Sequence, residues 1–129
     1  MATRVYDRAY NEFYLNNAMN TLATMLDYAV NIKREDIDSC FKRFIDSGAA
    51  VHFENGDPNL IAGKSGVELY WTITENRYNK FPAYQMLYRT PEFWLGWSLA
   101  YYQWFTKKPF RYIHMRVTLK ELLAWYPTL

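Results

Sequence analysis

The run that decides the fold is TPEFWLGWSLAYYQWF, residues 90–105. Thr90 suits the N-cap of a helix, Pro91 its first position and Glu92 the positive end of its dipole. Apolar side chains then cover almost the whole circumference. Such a helix lies at the centre of a fold or at an interface. Pro109 is expected to end it, because proline lacks the amide that a helix needs.

The aromatic residues of this helix have two interpretations. They fall near two stripes, one with Phe93, Trp97 and Trp104 and the other with Trp94, Tyr101 and Phe105. Either both stripes form a core spine, or one of them is a partner-binding surface, since Trp and Tyr concentrate at binding hot spots.

Upstream, the apolar residues of 8–31 recur at intervals of three and four without Pro or Gly, which predicts one uninterrupted helix. The polar residues expected on its solvent face are Asn16, Asn17, Asn20, Thr24 and Asp27. Asp36 predicts the N-cap of a second helix, which Ser47 and Gly48 should end or bend. The composition of residues 49–54 favours a further helical turn or two.

Two capping boxes mark later helices. Residues 55–63 are rich in turn formers and predict a loop. Ser65 with Glu68, and Thr118 with Glu121, have the spacing of a capping box, in which each side chain accepts a hydrogen bond from the other residue's backbone amide. The sequence therefore predicts an all-α fold: one compact domain over residues 1–129, with about five or six helices around the aromatic-rich one.

Composition excludes several classes of protein. The chain of 129 residues is 50% hydrophobic and 19% aromatic, which excludes a disordered chain. One cysteine excludes a cysteine-rich zinc site and an internal disulfide. No apolar run approaches a membrane span, and the first ten residues do not have the pattern of a signal peptide, so we expect a cytoplasmic protein.

The residues that could carry chemistry do not form a convincing site. Gly63-Lys64-Ser65 suggests a phosphate loop, but Pro58 stands where that motif needs glycine, so a turn and a helix cap are favoured. His52 with Glu54 and Asp57 could form a weak metal site or a small enzyme centre, although a hydrogen-bonded structural histidine is favoured. Cys40 lies in an amphipathic helix and is expected to be packed and inert. His114 is expected at the surface. We predict no cofactor and no metal.

The charge is uneven along the chain, and ordinary surface scatter is the favoured explanation; the alternative is a basic C-terminal face for an acidic partner or nucleic acid. Residues 1–64 hold seven basic and nine acidic residues, whereas residues 65–129 hold eight and four. A domain of this size cannot bury all its aromatic residues. Tyrosine and arginine are favoured at protein interfaces. The candidate interaction surface consists of Tyr84, Tyr88, Arg89, Tyr102, Lys108, Arg111 and Tyr112.

Residues 44–58, 62–69 and 90–105, with the helix over 17–31, resemble a small bacterial family of uncharacterised proteins. That resemblance implies a setting: genes of this family often lie beside small genes and an ADP-ribosyltransferase-like gene, in arrangements like toxin–antitoxin or defence loci. It implies no catalytic residues, and relatives are expected to continue beyond Leu129.

Three functions follow as hypotheses. The first is a non-enzymatic helical interaction module, an accessory or antitoxin-like component of such a locus that binds a neighbouring gene product or itself. The second is a nucleic-acid-binding regulator that uses the basic C-terminal half, although the net charge of +2 is weak for that role. The third is a small enzyme around His52, Glu54 and Asp57. No membrane partner is expected.

Overall fold

The computed structural model describes residues 8–74 and 90–126 and has an all-α fold. A 3₁₀ turn over Glu12–Tyr14 leads into α1 (Leu15–Asn31), which is followed by α2 (Ile37–Asp46), α3 (Ala49–Glu54), α4 (Pro58–Ile61) and α5 (Gly66–Ile73). After the undescribed interval come α6 (Pro91–Thr106), α7 (Phe110–His114) and α8 (Leu119–Leu123). The described residues thus hold eight helices, more than the predicted five or six, because four of them are very short.

Helix α1 is the element on which the others pack. It contacts α2, α4, α5 and, most extensively, α6. Two glycines allow these helices to come close. A Cβ at Gly96 of α6 would lie 2.5 Å from the Cα of Ala23, and one at Gly66 of α5 would lie 2.5 Å from the backbone N of Met25. Both crossings therefore bring backbone almost against backbone.

The predicted caps are present. Asp36, Ser65, Thr90 and Thr118 each accept a backbone N–H through the side chain, and the two capping boxes are complete. Gly48 ends α2 with a φ of 89°, a conformation that glycine adopts without strain. The segment 49–54 is helical, as favoured.

Two predictions about local structure are wrong, and one helix was not predicted. Residues 8–14 do not belong to the first helix: the Asn11 side chain caps a 3₁₀ turn instead, and the Ala9 amide donates to the carbonyl of Trp104 across the fold, 2.9 Å away. Residues 55–63 are not all loop, because Asp57 caps α4. Pro109 follows the end of α6, as predicted, but it is also the N-cap residue of α7, a helix that the sequence did not predict.

The aromatic stripes of α6 do not form a core spine. The face of α6 that is buried consists of Leu95, Gly96, Leu99, Ala100, Gln103 and Trp104. The other aromatic residues in the two stripes are half-buried or exposed. The close approach at Gly96 explains this arrangement, since two backbones in contact leave no room for indole rings between them.

Asp27 is also misplaced by the sequence pattern. Its side chain is buried and does not lie on the solvent face. In the interior it accepts hydrogen bonds from the Thr90 hydroxyl and the Asn31 side-chain amide, each at 2.6 Å. Asn31 in turn donates to Glu92 at 2.9 Å. This part-buried polar cluster ties the end of α1 to the start of α6. No helix in residues 8–74 or 90–126 has the length and apolar character needed to span a membrane.

Candidate interaction surface

The structure brings part of the candidate surface together. Tyr84, Tyr88 and Arg89 lie outside the described residues. Among the others, Lys108 Nζ lies 4.6 Å from the centre of the Tyr112 ring. Arg116, which the sequence analysis did not include, lies closer still, with Cζ 3.7 Å from that ring centre. The spacing of four residues between Lys108, Tyr112 and Arg116 could have revealed this group, which we call the Tyr112 stack.

Arg111 belongs to a different environment. The pKa of Asp46 is lowered first by its hydrogen bond with Lys42 and then, among other charges, by Arg111. The charge of Arg111 also acts to lower the pKa of Glu54, against the larger effect of burial. Arg111 therefore lies towards α2 and α3 and is not part of the Tyr112 stack.

Tyr102 lines an apolar groove between α6 and the chain from α7 to α8. The groove has a volume of about 440 Å³. Its lining residues are Trp94, Leu95, Ser98, Leu99, Tyr102, Ile113, Val117, Leu122 and Trp125. The floor is buried, whereas Tyr102 and Trp125 are 42% and 59% exposed. We call this feature the α6–α8 groove.

A second group of exposed aromatic residues lies elsewhere on α6. Tyr101 and Phe105 stack with ring centres 5.8 Å apart, and Arg8 Cζ lies 3.8 Å from the centre of the Phe105 ring. Because Tyr101 and Phe105 are each more than 40% exposed, the outer face of α6 presents aromatic surface beyond the groove.

Two carboxylates hold the wall of the groove formed by α7 and α8. Glu54 of α3 accepts the Phe110 amide at 2.6 Å, at the start of α7. Asp38 of α2 accepts the Leu119 amide at 2.6 Å, at the start of α8. These bonds satisfy amides that have no partner within their own helices and dock both short helices on the rest of the fold.

The candidate enzyme centre does not converge. His52 is exposed, and its Nδ1 lies 3.8 Å from Asp57 Oδ2, too far for a hydrogen bond, so the prediction of a hydrogen-bonded structural histidine is wrong. Asp57 caps α4 through the Asn59 amide, and Glu54 faces Phe110. Burial raises the pKa of Glu54. Within the described part of the chain, no three His, Cys, Asp or Glu side chains are grouped to hold a metal ion.

The other residues considered for chemistry have structural roles. Ser65 caps α5, and the Lys64 carbonyl accepts from the Thr21 hydroxyl at 3.3 Å, so this segment is a turn before a helix cap, as favoured. Cys40 is fully buried, and burial raises its pKa to about 12, which confirms a packed thiol. His114 is half-buried rather than at the surface, with its ring 5.9 Å from that of Phe41.

No protein-family model, curated protein or solved structure matches the chain.

Proposed function

We propose that this protein is a non-enzymatic helical interaction module of the bacterial cytoplasm that binds a protein partner at the α6–α8 groove and the Tyr112 stack. In the setting that the sequence resemblance implies, it serves as an accessory or antitoxin-like component of a toxin–antitoxin or defence locus. The partner is a neighbouring gene product or a second copy of the chain.

The observation that carries this proposal is the exposure of Trp125 and Tyr102 on the rim of an apolar groove. Contact between water and large aromatic side chains beside apolar surface is unfavourable in free energy, and a bound partner that covers this surface removes that cost. Tyrosine and tryptophan are also the residues most enriched at interface hot spots.

Capture with the products of flanking genes tests the proposal. We expect the purified protein to retain at least one of them, and the double variant Tyr102→Ala/Tyr112→Ala to lose it while keeping its thermal midpoint. Phe13→Ala is the matched control, because Phe13 is 81% exposed and does not line the groove. Capture of no flanking product together with a monomeric protein would contradict the proposal.

A nucleic-acid-binding regulator is the second candidate, and the Tyr112 stack favours it. Basic side chains beside an aromatic ring are typical of surfaces that hold single strands. Electrophoretic mobility shifts with single-stranded DNA at two salt concentrations distinguish the candidates, because phosphate contacts weaken steeply as salt rises. Steep loss of binding with salt, abolished by Arg116→Ala, would favour this candidate.

A further inference from the structure

We infer that α8 is a strap that detaches while the rest of the fold stays folded, turning at the Val117–Thr118 junction, and that Asp38 of α2 is the latch that holds it closed. Because the strap forms one wall of the α6–α8 groove, its position determines how much apolar surface is uncovered there. This device is built into the chain and operates whether or not a partner binds.

The start of α8 is held by two carboxylates from the beginning of α2. Asp38 accepts the Leu119 amide at 2.6 Å and the Lys120 amide at 3.3 Å. Asp36 forms an ion pair with the Lys120 ammonium group at 2.6 Å. Asp38 is half-buried, whereas Asp36 and Lys120 are exposed. An exposed ion pair contributes little, while a carboxylate that bonds two amides at a helix start contributes more, so Asp38 is the main latch.

Apart from this latch, α8 is held by little buried surface. Leu119 is its one buried residue. Leu122 and Leu123 are half-buried, and Trp125, just after the helix, is 59% exposed. Segments with few buried apolar contacts are those that open locally before a protein unfolds as a whole. The burial of α8 is therefore typical of a segment that opens by itself.

Helix α7 is held much more firmly, although it is equally short. The Phe110 ring is fully buried, and its centre lies 5.5 to 6.0 Å from those of three phenylalanines on α2 and α3: Phe41, Phe44 and Phe53. Ile113 of α7 is only 6% exposed. These contacts belong to the main core, so α7 remains in place when α8 leaves.

The junction between the two helices allows this movement. The turn after α7 closes with the Val117 amide donating to the Ile113 carbonyl at 3.1 Å. On the other side, the Leu122 amide donates to the Thr118 carbonyl at 3.3 Å, and the capping box lies wholly within residues 118–121. Rotation between Val117 and Thr118 therefore releases α8 without breaking the hydrogen bonds of α7.

Opening of the strap removes one wall of the groove. Leu122 and Trp125 line the groove together with Leu95 and Leu99 of α6, which are 2% and 5% exposed. Once α8 has left, its share of the lining is gone and the apolar floor meets solvent. The closed groove and the uncovered face of α6 are thus two states of one surface.

Residue-resolved amide hydrogen exchange of the full chain at increasing low concentrations of urea tests the strap. A five-residue helix is not stable alone, so the Leu122 and Ala124 amides lose their bonds when α8 detaches. We expect their exchange rates to depend weakly on urea, because a local opening exposes little surface. The amides of Leu22 in α1 and Phe110 in α7 should show the steep dependence of global unfolding.

Asp38→Asn tests the latch. Because it removes the charge that bonds the two amides, exchange at Leu122 and Ala124 should be at least about tenfold faster and stay weakly dependent on urea. Asp46→Asn removes an exposed carboxylate of the same helix and should leave these two rates unchanged. If Asp38→Asn proves unfolded, Asp38→Glu takes its place, since the longer side chain displaces the accepting oxygens and should also accelerate exchange at Leu122 and Ala124.

Phe53→Leu tests where the strap begins. It weakens the packing on Phe110, which both the closed and the open strap retain. Exchange at Leu22, which needs global unfolding, should become faster, whereas exchange at Leu122 and Ala124 should not change.

Three outcomes would overturn the inference. The first is a urea dependence at Leu122 and Ala124 as steep as at Leu22, which would mean that α8 opens only with the whole fold. The second is faster exchange of the α8 amides in Phe53→Leu, which would mean that α7 leaves with α8. The third is unchanged exchange of the α8 amides in the Asp38 variant, which would mean that Asp38 is not the latch.

Discussion

Gly96 of α6 lies against Ala23 of α1 so closely that a Cβ on the glycine would come within 2.5 Å of the alanine Cα and 2.8 Å of its amide N. The most extensive helix–helix contact within residues 8–74 and 90–126 therefore depends on the absence of one side chain. It also determines how α6 is turned, and hence that the face with Tyr102 lines the groove.

Gly96→Ala should destabilise the protein even though alanine is the better helix former. The added methyl group meets backbone atoms that cannot rotate away, and overpacking of this kind costs about 1–3 kcal/mol. Chemical denaturation monitored by circular dichroism measures the free energy of unfolding. Ser98→Ala, two residues along the same helix, is the control and should leave it nearly unchanged. Equal stability of Gly96→Ala and wild type would show that the helices can separate without cost.

Trp104→Ala should be far more damaging than Trp97→Ala. Trp104 is 8% exposed, and its indole N–H donates to the Tyr10 carbonyl at 2.7 Å, so truncation leaves a cavity and an unpartnered carbonyl, at a cost of about 3–5 kcal/mol. Trp97 is only half-buried and stacks on Phe93, which predicts less than about 2 kcal/mol. Urea denaturation of the two variants gives the comparison, and the reverse order would refute it.

The wild-type protein should gain stability relative to the variant Glu54→Gln as the pH falls below neutral. Burial raises the pKa of Glu54 in the folded state, so the ionised form is disfavoured by folding and that penalty disappears on protonation. The free energy of unfolding of the wild type should therefore increase relative to Glu54→Gln between neutral pH and the usual pKa of glutamate, about 4.3.

Glu121 provides the matched control with the opposite sign. The Thr118 amide and hydroxyl lower its pKa, so its contribution to stability is present at neutral pH and is lost as the pH falls through the lowered pKa. Relative to Glu121→Gln, the wild type should thus lose stability on acidification. The same pH trend in both pairs would contradict the assignment of Glu54 to a desolvated position.

Cys40 should react with a thiol reagent only after unfolding. Its side chain is fully buried, and burial raises its pKa to about 12. In the native state the thiol is therefore neither accessible to the reagent nor ionised to the reactive thiolate. Labelling with a disulfide reagent at mildly alkaline pH should be negligible for the native protein and reach one thiol per chain in denaturant. Rapid labelling of the native protein would place Cys40 at the surface.

The sequence by itself determined the helical class and most helix ends. Caps act locally: the side chains of Asp36, Ser65, Thr90 and Thr118 each bond the amide three residues away, so spacing along the chain is sufficient to predict them. The short helices α4 and α7 were missed because Pro58 counted as a turn former and Pro109 as the end of a helix, whereas proline is also suited to the start of a helix.

Only the tertiary structure decided which faces are buried and which groups form the candidate surface. Asp27 has the sequence position of an exposed residue, yet Thr90, 63 residues later, donates to it in the interior. The α6–α8 groove likewise depends on the approach of Gly96 to Ala23 and on the bonds from Glu54 and Asp38 to the amides of α7 and α8. These contacts join residues far apart in the chain, and helical periodicity reports only which residues share a face, not which partner that face will meet.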